Sequence, residues 1–307
     1  MQNNQLTVSA TPHIRSSVTT QKIMACVLIA LLFPTIASVI LFGWRSILLI
    51  AVTAAASVLF ETLFNMVTKR SNTVFDLSAV VTGVLLAMNL PVTLPLWMAI
   101  VGAFVSIFIT KMLFGGLGQN FANPAIVGRI VLMVSFSTAM TTWVRPLQWM
   151  YGEANTGATP LGGAQASYLE LFLGIKGGCL GEVSVLAILI GGLLLIAMKI
   201  ITPTIPFVYI GTTFVLTWLF GGDPVAGILS GGLFLGAFFM ATDYTTSPST
   251  ERGKIIYAIG LGLLTAVIRT YGSYDEGVSF AILLMNIVVP YIDRLTRSKP
   301  FGGVKRK

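Results

Sequence analysis

The chain has 307 residues, of which 55% are hydrophobic and only 10% charged, and its net charge is +8. Soluble domains carry about a quarter charged residues, so the composition excludes a soluble protein. It fits an all-α polytopic membrane protein whose apolar runs, about 17 to 25 residues each, span a bilayer. Basic loops on one side of the membrane account for the positive charge, so no nucleic-acid partner is implied. Cys26 and Cys179 are the only cysteines, too few to ligate an iron–sulfur cluster. The single histidine, His13, is too few for bis-histidine haem ligation. Cys26 lies in an apolar run and Cys179 in the central polar stretch, so no disulfide is expected between them.

In chain order, residues 1–22 form a polar N-terminal segment, with Pro12-His13-Ile14-Arg15 as its distinct run. The first apolar run after it is long enough to span, so no cleavable signal peptide is expected. His13 reads most simply as a solvated side chain. About ten transmembrane helices are predicted: Ile23–Phe42, Ile47–Val67, Val74–Met88, Leu96–Phe114, Asn123–Met140, Val183–Ile200, Ile205–Phe220, Val225–Ala241, Lys254–Thr270 and Val278–Leu295. The first five make a half over 23–140 and the last five a half over 183–295. Residues 141–182 form a long polar loop between them, and 296–307 a basic tail. If the two halves of five spans are a repeat, it is inverted, because an odd number of crossings reverses the second half.

Charge fixes the orientation. Lys22, Lys69, Arg70, Lys111, Lys199, Arg252, Lys254, Arg294 and the basic tail all fall on the side of the termini. Arg45, Arg145, Lys176 and Arg269 fall opposite. By the positive-inside rule both termini are cytoplasmic and the 141–182 loop is extracytoplasmic. Within the spans, Glu61 and Arg129 stand out, because a charge at the bilayer centre costs about 3 kcal/mol or more. Glu61 reads as either a structural pair or an ion-handling group. Arg129 would snorkel or pair with a carboxylate or phosphate. Asp76 reads as a helix cap. The dense glycines of the second half, such as Gly191-Gly192 and Gly231-Gly232, read as packing positions.

Three stretches carry candidate chemistry. In Gly115-Gly116-Leu117-Gly118-Gln119-Asn120-Phe121-Ala122-Asn123-Pro124, Asn123 suits a cap and Pro124 the first helical turn. The glycines also let backbone approach a ligand. The amides of Asn120 and Asn123 offer both donors and acceptors to a ligand with a mixed polar edge. In Met240-Ala241-Thr242-Asp243-Tyr244, Thr242 and Asp243 fall on the same predicted face and would converge with the asparagines. In the central loop, Glu153-Ala154-Asn155-Thr156-Gly157-Ala158-Thr159-Pro160-Leu161 leaves the Thr159 hydroxyl beside small residues, and Pro160 biases it to an extended conformation. Read blandly, this last stretch is an ordinary turn.

Taken together, Pro-His-Ile-Arg, Asn-Phe-Ala-Asn-Pro, Thr-Gly-Ala-Thr and Ala-Thr-Asp resemble one family over nearly the whole chain. It is the D subunit of the Rnf complex, a ferredoxin:NAD⁺ oxidoreductase, related to the B subunit of the sodium-pumping NADH:quinone reductase. Glu153 departs from the pattern, which has aspartate there. The resemblance implies FMN esterified through its phosphate to Thr159, with Thr156 in the modification motif. It also implies noncovalent riboflavin contacted by Asn120, Asn123, Thr242 and Asp243. It implies electron transfer coupled to Na⁺ or H⁺ movement in a bacterial inner membrane. The implied partners are the other Rnf subunits, including a second FMN-bearing subunit and membrane iron–sulfur subunits, and a flavin transferase. The rival classes are a secondary transporter with an inverted repeat and a cofactor-free scaffold of a redox complex. The charge bias makes one prediction directly. A reporter that works only in the cytoplasm is active when fused after Lys307 and inactive near Gly163; the reverse pattern inverts the orientation.

Overall fold

The computed structural model describes residues 18–71, 73–151, 167–272 and 277–297, and contains helices but no strand among them. Helix α1, Thr20–Phe42, is capped by the Thr19 hydroxyl on Lys22 N. It ends at Gly43, whose φ of +76° turns the chain directly into α2, Trp44–Val67. These two helices are each long and apolar enough to cross a membrane.

The third predicted span is not continuous. A 3₁₀ turn, Val74–Asp76, leads through Leu77 at φ 64° into α3, Ser78–Met88. Asp76, expected as a cap, is the last residue of the 3₁₀ turn and the N-cap of α3 is Leu77; the Asp76 Oδ1 still accepts from the first N–H of α3, Ser78 N, at 2.8 Å and from the Ser78 hydroxyl at 2.5 Å. At 1.5 Å per residue α3 is about 16 Å long, against about 30 Å of bilayer hydrocarbon. It is therefore a half-helix. The fourth span begins as α4, Leu96–Phe104, and widens into a π-helix over Val105–Met112. The fifth is α5, Pro124–Ser135, which breaks at Phe136 before the short α6, Ser137–Met140.

In the central segment, α7 covers Gln148–Tyr151 and α8 covers Tyr168–Leu173, the latter started by a capping box between Ser167 and Glu170. The second half opens with α9, Val185–Ala197, and α10, Thr204–Leu219. Its third element is also interrupted. The expected span Val225–Ala241 is α11, Pro224–Leu229, then a break at Ser230-Gly231, then α12, Leu233–Leu235, which continues as a π-helix over Gly236–Met240. Gly231 sits at φ 65°, a conformation that glycine adopts without strain. The last two helices, α13 (Glu251–Tyr271) and α14 (Val278–Thr296), are again of spanning length and apolarity. The chain is thus a multi-pass membrane protein by length and composition of its helices.

The packing pattern of the first half recurs in the second. Helix α2 packs on α3 and α4, and α4 on α5; likewise α10 packs on α11 and α13, and α13 on α14. Across the halves, α1 meets α9 and α5 meets α14. Apolar attraction between helices is weak in lipid, so close backbone approach matters more. Gly83 of α3 shows this: a Cβ there would lie 2.7 Å from the Ala54 Cα and 2.8 Å from the Ser57 Oγ of α2. Gly191 and Gly192 serve α9 in the same way against Ala30 of α1 and the Phe238 ring. Gly83→Val is therefore expected to lower the thermal midpoint of the purified protein in detergent, by the equivalent of about 1–3 kcal/mol of overpacking. Gly211→Ala, where nothing lies within 4 Å of the added carbon, leaves the midpoint unchanged or slightly raised.

Candidate functional site

The interrupted helices leave backbone groups without helical partners, and buried side chains and loops take them up. At the end of α3, the Asn89 amide donates to Leu85 O at 2.6 Å. The Gly181 and Leu180 N–H groups donate to Met88 O at 2.7 Å and Leu90 O at 3.1 Å. Arg129, inside α5, holds this corner together. It forms an ion pair with Glu182 at 2.8 Å, donates to the Asn89 Oδ1, and lies 3.5 Å from the Cys179 sulfur. Arg129, Glu182, Asn89 and Cys179 are all buried. Glu182 in turn packs against Gly232 at the head of α12, where a Cβ would be 2.6 Å from its Oε1. At the α11–α12 break, Arg269 donates to Gly227 O at 2.6 Å and Ser230 O at 3.1 Å. The Lys176 ammonium donates to Leu229 O.

The other ends of these elements enclose a pocket. Asn123 caps α5, its Oδ1 accepting from Ala125 N at 3.1 Å and Ile126 N at 3.5 Å, while its Nδ2 donates to Met240 O at 3.3 Å. Pro124 occupies the first turn, where its missing N–H has no cost. Asn120 donates to Ala122 O at 2.9 Å. The Thr242 hydroxyl returns to Phe238 O at 2.7 Å. Asp243 accepts from Thr245 N at 3.4 Å and from the Thr246 hydroxyl at 3.3 Å. This loop lies past the end of the helical segment. Burial raises the Asp243 carboxyl above the usual aspartate range, while the donors from Thr245, Thr246 and Asn120 pull it back. Behind the loop, the Asn286 amide of α14 sits 2.8 Å from the Tyr257 hydroxyl. Its most favourable orientation accepts from Asn123 N and donates to Thr246 O, each at 3.1 Å.

The pocket is lined on its polar side by Ser78, Lys111, Asn120, Asn123, Thr242 and Asp243. Its apolar walls come from Val27, Leu85, Leu195, Ile200, Phe238 and Phe239. The space within it, open mouth included, is about 790 Å³. Lys111 is 2% exposed and belongs to the π-helical segment 105–112, whose extra residue per turn re-aims the side chains that follow. Its Nζ lies 2.7 Å from Glu61 Oε2 and 2.6 Å from Ser78 Oγ. The second oxygen of Glu61 accepts from the Thr73 hydroxyl at 2.5 Å.

Asn120, Asn123, Thr242 and Asp243 therefore converge as the sequence predicts. Thr156 and Thr159 lie outside the described residues, as does His13. Glu61 has an internal partner, and Arg129 pairs with a carboxylate. Three cations that sequence counting uses only to assign membrane sides, Lys111 and Arg269 near span ends and Lys176 in the central loop, are buried or half-buried and engaged: Lys111 with Glu61, Lys176 and Arg269 with the broken helix. Glu182 and Asn89 were not singled out by sequence. The Gly181-Glu182 step and the polar Asn89 at the end of an apolar run were the available signals. On the loop side, the Tyr168 hydroxyl donates to Asp223 at 2.7 Å, which raises the Tyr168 pKa and lowers that of Asp223.

Half-helices whose freed ends are held by buried charges, with a polar pocket between them, define a polytopic membrane protein built around an internal site. The chain belongs to the NQR2, RnfD, RnfE family, whose profile matches residues 7–302. It is 47% identical to the D subunit of the Na(+)-translocating ferredoxin:NAD(+) oxidoreductase complex of Acetobacterium woodii, across 100% of this chain and 98% of that one. It is 43% identical to the D subunit of the proton-translocating ferredoxin:NAD(+) oxidoreductase complex of Clostridium ljungdahlii, across 98% of each. Identity to the D subunit of the ion-translocating oxidoreductase complex of Escherichia coli O81 is 34%, across 97% of this chain and 99% of the relative.

Removing one member of a buried ion pair strands the other, at about 3–5 kcal/mol, whereas replacing both with apolar groups is often neutral. Glu182→Leu is therefore expected to cut the yield and thermal stability of the folded protein sharply. Arg129→Met combined with Glu182→Leu recovers part of that loss. Equal loss in the single and double variants would show that the pair does not act as a unit.

Proposed function

We propose that the chain is the D subunit of an Rnf-type complex, a membrane electron-transfer subunit that carries flavin and works where redox chemistry between ferredoxin and NAD⁺ drives ion translocation. The observation that carries this reading is similarity along the whole chain to relatives named as the D subunits of such complexes. Those two are named for different ions, Na⁺ and the proton, so the proposal is for ion translocation as a class. Half-helices also suit a secondary transporter, but the relatives' names favour the redox complex. The proposed setting is a bacterial inner membrane, both termini cytoplasmic and the 141–182 loop extracytoplasmic. The partners are the other Rnf subunits, among them the second FMN-bearing subunit and the iron–sulfur subunits, together with a flavin transferase.

Two flavins belong to this reading. FMN is esterified to Thr159 within Thr156–Thr159, on the strength of the loop motif. Riboflavin fits the pocket by its chemistry: apolar side chains such as Leu85, Phe238 and Phe239 line it together with residues bearing amides, hydroxyls, a carboxylate and an ammonium. Such mixed, convergent polar groups in an apolar cleft are what small-molecule sites share. A bound flavin ring would supply one- and two-electron transfer. The chain's own residues do the rest. Asn123 has its amide engaged by the helix cap and by Met240 O, so it mainly shapes the wall. Asn120, Thr242 and Asp243 line the same space, with their polar groups bonded to Ala122 O, Phe238 O and the Thr245–Thr246 turn and able to share a ligand's hydrogen bonds, and Asn286 holds the loop behind them.

The test is direct. The wild-type band fluoresces under ultraviolet light after denaturing electrophoresis, and Thr159→Ala abolishes that signal while acid-extractable flavin remains. Fluorescence persisting in Thr159→Ala overturns the covalent assignment. Absence of extractable flavin from a folded Thr159→Ala protein overturns the pocket assignment.

A further inference from the structure

We propose that Lys111 is a positioning residue for the pocket's ligand: held between Glu61 and Ser78, its buried ammonium favours the reduced, anionic form of a bound flavin, and Glu61 tempers that effect. This rests on the reading that the pocket holds a flavin.

Among the described residues lining the pocket, Lys111 is the one cationic side chain and Asp243 the one anionic side chain. A lysine ammonium has three N–H donors. Two are directed to Glu61 Oε2 and Ser78 Oγ. Lys111 and Ser78 both line the pocket while Glu61 does not, so the cation's residue borders the ligand space and its counter-ion's residue does not. The Glu61 carboxylate is anchored on its far side by Thr73, which also accepts from Asn65 at 3.1 Å. The anion is thus held by protein groups away from the pocket lining, while the cation belongs to a residue of that lining.

In a water-poor interior, a charge a few ångströms from a ligand acts far more strongly than it would in solvent. A buried Lys–Glu pair is neutral overall, so it leaves an uncharged oxidised ring nearly indifferent. Uptake of two electrons and one proton by a flavin leaves one negative charge at its pyrimidine edge. The electrons come from partner subunits in the complex, or from a chemical reductant in the test. A cation near that edge stabilises this state selectively, which is how a protein tunes a flavin. A role confined to structure predicts no such selectivity.

The experiment uses the full chain carrying Thr159→Ala, purified in detergent so that only pocket flavin remains, and titrated with reductant while visible absorbance is followed. Lys111→Met is expected to retain flavin and lower the ratio of reduced to oxidised affinity about tenfold, a fall of about 30 mV for a two-electron couple. Lys111→Arg restores most of the potential. Glu61→Gln, which removes the counter-ion, moves the potential upward. An unchanged potential in Lys111→Met, or shifts of the same sign in Lys111→Met and Glu61→Gln, overturns the proposal. If Lys111→Met loses its flavin, Glu61→Gln decides alone, and an unchanged or lowered potential overturns it. A parent protein that folds without flavin sinks the pocket reading and this proposal with it, whereas a flavin-bearing parent with insensitive variants sinks the proposal alone.

Discussion

Backbone groups freed inside an apolar slab have no water to turn to, and this constraint organises the molecule. Helix α3 stops after 11 residues, and α11 breaks from α12 at Ser230-Gly231. Each interruption leaves carbonyls that must be met from within. The chain spends Arg269 and Lys176 on one break and the 179–182 loop on the other. Arg129 and Glu182 join the two regions, because Arg129 reaches the end of α3 and Glu182 abuts the head of α12. The half-helices are stable only together with this network.

Breaking the helices opens a site that ten continuous helices would fill with side chains. The ends at Asn89 and Met240 approach each other, with the Asn89 amide 3.7 Å from the Met240 sulfur. Asn123 ties the start of α5 to Met240 O. Both π-helical segments contribute to the pocket: 105–112 brings Lys111 and 236–240 brings Phe238 and Phe239. Local widening of a helix is a common way of re-aiming a few side chains at a functional site.

The two buried ion pairs differ in what surrounds them. Arg129–Glu182 is enclosed by backbone, sulfur and amide, and its partners are structural elements that would otherwise end unsatisfied. In Lys111–Glu61 the carboxylate is also bonded by Thr73, and the lysine, unlike the glutamate, is among the residues lining the pocket. A buried pair is weak support for stability in itself, since desolvation offsets much of the attraction. Its arrangement is the informative part: one pair closes a corner and the other borders a cavity.

The sequence by itself determined the class of fold, the number of apolar runs and the cap at Asn123. Hydropathy and cap chemistry are local properties, readable within a turn or two of helix. It also placed Asn120, Asn123, Thr242 and Asp243 on one face, because each sits just beyond the end of an apolar run. Tertiary structure alone decided that runs three and eight are half-helices. Their hydropathy is that of a spanning helix, and what ends them is capping by residues about 40 to 90 positions away, such as Gly181 for α3 and Arg269 for α11. It alone decided that Lys111, Lys176 and Arg269 are turned inward onto partners rather than out to solvent or headgroups. Nothing local distinguishes a solvated lysine near a helix end from one whose carboxylate or carbonyl partner arrives from a distant segment.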